Sequence, residues 1–112
     1  MTEFRVLGSA RRDLVEILAH SRRRFGSEPA SRYEVLVLRA FAMVRDQPFA
    51  QVTRPHGLEK RGLRVLHLRN VGQTSPRPVR RPRHLVVFRV KADRITVVRI
   101  LHERMELERH IP

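Results

Sequence analysis

Apolar residues recur along the first half of the chain at spacings that predict a strand and two helices. Phe4 and Val6 alternate with Arg5 in a short strand, residues 4–7, which Gly8 ends. Ala10, Leu14, Ile17, Leu18, Ser21 and Phe25 then fall at i, i+4, i+7, i+8, i+11 and i+15, one narrow buried stripe of a helix. Ser9 is the expected N-cap, its hydroxyl accepting from free first-turn amides, and Asp13 puts negative charge near that positive end. Gly26 stops the helix. A second helix starts at Ser27-Glu28-Pro29, where proline is tolerated in the first turn, and runs to Arg45 or Asp46. Tyr33, Leu36, Val37, Ala40, Phe41 and Val44 form its core stripe. Val35, Leu38 and Ala42 lie off that stripe, so the helix is apolar on a second side, facing either the first helix or a partner.

Residues 46–62 carry two prolines, two glycines and little periodicity, and predict a loop with Phe49 and Val52 tucked onto the core. A strand follows at 63–69. Residues 70–82, rich in proline and arginine, pair poorly in a ladder and predict a long exposed loop or an extended hairpin tip. Val86, Phe88 and Val90 alternate with Val87, Arg89 and Lys91, which suggests a strand buried on one side. Ile95 to Leu101 is nearly continuous in Val, Ile and Leu and reads as a central strand. Lys91-Ala92-Asp93-Arg94 joins the two; without Asn-Gly or Asp-Gly it predicts a four-residue loop. A compact tail, residues 102–110, follows with no Gly or Pro.

These elements amount to one α+β domain over residues 1–112, ordered β-α-α-β-β-β, with a helical hairpin packed on a small, mostly antiparallel sheet. The length supports one modest core, about two-thirds of the unfolded surface being buried at this size. No apolar run approaches the roughly 18 residues needed to cross a bilayer, and an absent signal segment leads to an expected cytoplasmic location, with no membrane partner. Zero cysteines exclude disulfides, thiol catalysis and cysteine-ligated zinc.

A formal charge of +13 favours acidic partners. All but Lys60 and Lys91 of the 24 basic residues are arginines, a bias that base composition of the gene can produce as readily as selection for phosphate contacts. A nucleic-acid-binding module therefore rests on charge alone, and direct nucleic-acid binding is not favoured. With 5% aromatics, no Trp and one Tyr, the chain lacks a base-stacking platform.

The closing segments carry a more specific signal: Arg83-His84-Leu85-Val86-Val87-Phe88-Arg89, then Val98-Arg99-Ile100-Leu101-His102, then Arg104-Met105-Glu106-Leu107-Glu108-Arg109. In order and spacing this resembles the ParE branch of the RelE/ParE toxins of type II toxin–antitoxin, or plasmid-stabilisation, systems. The resemblance implies the same fold, a toxin that binds and poisons DNA gyrase without enzymatic activity, and neutralisation by a cognate ParD-like antitoxin. It needs no cofactor. Arg104, Met105, Leu107 and Arg109 are the implied target-binding residues, arginines suiting carboxylates and Met and Leu suiting apolar pockets. The implied antitoxin surface is the helical hairpin, where Val35, Leu38, Arg39 and Ala42 suit an amphipathic partner helix. Two departures stand out: family members often have Gly where this chain has Glu103, and they usually bridge residues 70–82 with a short link.

The alternative is the RelE-type activity, ribosome-dependent cleavage of mRNA. That chemistry needs proton exchangers and cations around a developing phosphorane. Arg64, Arg83 and Arg99 are the candidate cations and His84, His102 or Glu103 the exchangers, with Arg64, Arg83, Arg99 and His102 the principal set. The lysine-rich cluster and terminal Tyr of that branch are missing, and Tyr33 sits on a core stripe. His20, His56, His67, His84, His102 and His110 lack metal-site spacing, so no metal is expected. Asp13, Glu16 and Glu34 read as solvated helix-surface acids rather than a catalytic pair.

Overall fold

A computed structural model describes residues 3–55 and 62–111. Strand β1 (Glu3–Val6) leads into α1 (Gly8–Phe25) and α2 (Ser27–Asp46). A two-residue β2 (Arg54–Pro55), β3 (Leu63–His67), a 3-10 turn (Leu68–Asn70), β4 (His84–Lys91), β5 (Arg94–His102) and a single turn of helix, α3 (Leu107–His110), complete the order. The sheet runs β1-β5-β4-β3-β2, antiparallel except where β1 pairs with β5 in parallel. The predicted α+β arrangement stands, with β2 and α3 added to it. Part of the expected 46–62 loop, at 56–61, lies outside the described residues.

Gly26, at φ 97°, turns one helix into the next; its N–H donates to Arg22 and its carbonyl accepts from Ala30. The hairpin packs on one sheet face, burying Ala10, Leu36, Val37, Ala40 and Val44 against Leu66, Val86, Phe88, Val97 and Ile100. A second core occupies the other face, where Leu107 and Ile111 of the tail cover Leu63, Val65, Val87, Val98 and Leu101. This is why β4 is not one-sided as its alternation suggested: Val86, Val87 and Phe88 are all fully buried because both faces are covered. The β4–β5 connection is a two-residue turn rather than a four-residue loop, and Ala92 takes a φ of 54° to make it.

Where β1 stops, α1 continues its work. The N–H of Leu7 donates to Val97 O at 3.0 Å. One helical turn supplies the next two partners: Ser9 Oγ donates to Val98 O at 2.8 Å, and Asp13 Oδ2 accepts from Ile100 N at 2.9 Å. The register of β4 against β5 shifts at this point and leaves Val98 without a partner on β4. Ser9 is therefore not the N-cap, Leu7 occupying that position. Asp13 is not a solvated surface acid either, since it also takes a two-point ion pair from Arg99 at 2.8 and 2.9 Å.

Three apolar placements differ from expectation. Phe25 ends α1 exposed, and Phe49 and Val52 are exposed rather than tucked onto the core. Phe49 instead carries the Arg64 guanidinium 5.1 Å above its ring. The 70–82 segment is not a hairpin tip: Val71 is buried, Gly72 O accepts from Arg39 Nε at 2.7 Å, and the Gln73 amide brackets the Val79 backbone at 2.8 and 3.0 Å. It lies folded along α2.

Candidate functional site

The ends of three strands bring the imidazoles together. His84 opens β4 opposite His102, which closes β5, and His67 closes β3 opposite Leu85. Tyr33 reaches them from α2. Its hydroxyl donates to His84 Nδ1 at 2.6 Å and accepts from Arg83 N at 3.2 Å. The Tyr33 and His84 rings meet edge to face at 5.5 Å, and His84 and His102 at 5.3 Å. Burial, then the neighbouring His102, pushes His84 down to about 4, so it is neutral near pH 7 with its proton on Nε2. Burial pushes the Tyr33 phenol up to about 12. His102 accepts the Arg104 N–H on Nδ1, which leaves it the same Nε2–H tautomer.

Glu103 closes the cluster. Its backbone N–H donates to Arg83 O at 2.8 Å, and its carboxylate accepts from Arg83 Nη1 at 2.9 Å and His67 Nε2 at 2.7 Å. Hydrogen bonds from Arg83 and His67 hold it down to about 2. A glycine at this position would have no side chain to join the strand ends, so Glu103 is the clasp of this corner.

Beside the cluster a cleft of about 790 Å³ opens between the end of α1, the start of α2 and residues 76–83. Ile17, Phe25, Pro29 and Val79 give it an apolar lining; Arg32, Arg77, Arg80, Arg81 and Arg83 surround it. His20, His84 and His102 also line it, and among the described residues no acidic side chain does. Among the described residues no group of three His, Asp or Glu could hold a metal ion, and His56 lies outside them.

Of the tail residues, Arg104 and Met105 are exposed, and Arg109 is exposed and paired with Glu106 at 2.8 Å. Leu107 is buried in the second core. On α2, Val35 and Leu38 are 56% and 52% exposed, so they do not pack on α1; Ala42 is half-buried. Arg39 is held by Gly72, and a shallow groove of about 260 Å³ runs past Val35 and Arg39 to residues 73–75. The four cleavage candidates are not assembled. Arg64 is spent on Pro48 and Thr53, and Arg99 on Asp13 and His110 O; only Arg83 and His102 line the cleft.

The family model for the ParE toxin of the type II toxin–antitoxin system parDE matches residues 4–107. The chain belongs to the ParE toxin family. Nothing among curated proteins matches it. Eleven chains of solved structures do. One, titled the chromosomal ParDE TA system from P. aeruginosa, superposes with a TM-score of 0.71 over 91% of this chain and 96% of that one, at 22% identity, a likeness of fold. This ParE-family toxin is thus a component of a type II toxin–antitoxin system. Among its described residues no helix is long and apolar enough to cross a membrane.

The Tyr33–His84 bond and the cleft were missed in the sequence. Fifty-one positions separate the partners, and Tyr33 looked like ordinary core stripe. The departure at Glu103 was the one local signal pointing to this corner.

Proposed function

We propose that this toxin acts in the cytoplasm by binding DNA gyrase rather than by enzymatic turnover, and that a ParD-like antitoxin neutralises it. The family match over residues 4–107 carries the reading. The C-terminal tail offers Arg104, Met105 and Arg109 at the surface, two bidentate cations around a flexible apolar side chain that suits a protein pocket. Leu107 serves by anchoring that tail to the sheet. The antitoxin surface is the exposed side of α2, where Val35 and Leu38 stand between Arg32, Arg39 and Arg45, a face complementary to an amphipathic helix with acidic flanks. The dispersal of Arg64 and Arg99 into internal bonds supports binding over RNA cleavage.

The test is induction of this chain alone in a bacterial host with a DNA-damage reporter, alongside colony counts and purified gyrase. Loss of viability with the reporter on, and accumulation of cleaved DNA in vitro, is the expected result. Growth arrest with a silent reporter and intact gyrase activity would overturn it in favour of mRNA cleavage.

A further inference from the structure

We propose that the cleft between α1, α2 and the 76–83 segment binds a nucleoside polyphosphate. Its volume of about 790 Å³ is that of a small-molecule site. The lining is divided chemically. Ile17, Phe25, Pro29 and Val79 present an apolar surface that suits a planar ring, whereas five arginines line the cleft and, among the described residues, no carboxylate does. Some of that charge is already answered: Arg32 and Arg77 share Glu28, and Arg83 is held by Glu103. Arg80 and Arg81 are exposed and form no ion pair with a described acidic residue.

Those adjacent forks match phosphate oxygens two at a time. Density of charge favours a polyphosphate over an acidic peptide. An extended peptide presents side chains on one face only every ~7 Å, whereas linked phosphates place several charges within that length. The floor is donor-rich as well. His84 and His102 both line the cleft, and with Nδ1 engaged by the Tyr33 hydroxyl in one and by the Arg104 N–H in the other, each has Nε2 left as its N–H donor.

Titration of the full chain into N-methylanthraniloyl-ATP, followed by fluorescence anisotropy at about 0.1 M salt, tests this. Saturable binding is expected, weakened at least tenfold in the Arg80→Ala/Arg81→Ala double variant and several-fold in Phe25→Ala. Neither change removes core packing, since all three residues are exposed. An Arg5→Ala/Arg54→Ala variant, with the same loss of charge away from the cleft, should bind as the parent does. Four outcomes would overturn the proposal: no saturable binding, equal weakening in the control variant, displacement by inorganic tripolyphosphate as effective as by ATP, or tighter displacement by a glutamate-rich peptide.

Discussion

Removing the Asp13 carboxylate should cost this fold far more than a helix-surface acid normally does. Asp13 accepts three hydrogen bonds, two from Arg99 at 2.8 and 2.9 Å and one from the Ile100 backbone at 2.9 Å. Arg99 also donates to His110 O at 2.8 Å, so one guanidinium ties α1, β5 and the tail together. The Asp13 side chain is 12% exposed and that of Arg99 24%. Stripping one partner from a fully buried pair costs roughly 3–5 kcal/mol; partial solvent access to Arg99 reduces this, and Asp13→Ala should lose about 2–3 kcal/mol. At about 4 °C per kcal/mol for a domain this size, Tm should fall by about 8–12 °C. Urea unfolding of the parent, Asp13→Ala, Arg99→Ala and the double variant gives a thermodynamic cycle, with a coupling energy of about 1–2 kcal/mol expected. A single-variant loss below about 0.5 kcal/mol, or coupling indistinguishable from zero, would refute the idea that this pair fastens helix to sheet.

Leu38→Glu should leave the fold intact and weaken binding of the cognate antitoxin at least ~10-fold by calorimetry, a loss typical of a disrupted apolar anchor; unchanged affinity would remove the exposed α2 face from the account. Leu107→Ala should destabilise by about 2–4 kcal/mol, while Met105→Ala leaves stability within about 0.5 kcal/mol yet reduces gyrase inhibition; toxicity that survives Met105→Ala would argue against the tail. Stability should also decline on acidification. His84 is depressed from 6.5 to about 4, so the unfolded chain binds more protons in that window and stability falls as pH drops through it. Glu103, lowered from 4.5 to about 2, adds a further loss below pH 4.5. Urea midpoints measured from pH 7 to pH 4 should slope downward, and His84→Gln should flatten that slope above pH 4.5; an unchanged slope would place the titration elsewhere.

Local pattern made much of this legible. The α2 bounds, the buried stripe from Leu36 to Val44, and the strands around residues 63–67, 84–91 and 94–102 all follow from periodicity, because each element's apolar spacing matches its own geometry. The errors share a cause. Ser9 and Asp13 suggest partners within the first helical turn, whereas Ser9 bonds a carbonyl 89 positions away and Asp13 an arginine 86 away. Arg64 is a candidate only under the alternative of RNA cleavage, and a strand arginine is anonymous until its neighbours are known; here they are Pro48 and Thr53. Phe25 departs the other way, fitting the buried helical stripe yet remaining exposed.

The α+β order, the family and the strongly cationic character are legible before folding, since these depend on residue spacing and composition that the chain carries wherever it folds. Which charges are paired is set by the tertiary structure. It closed Asp13 on Arg99 and Glu103 on Arg83 and His67, and covered the second sheet face with the tail. It also left Arg80 and Arg81 lining a cleft to which no described acidic residue contributes. The reason is physical: an ion pair or a cavity exists only between elements, and its position is set by how helices and strands distant in sequence pack around a shared core.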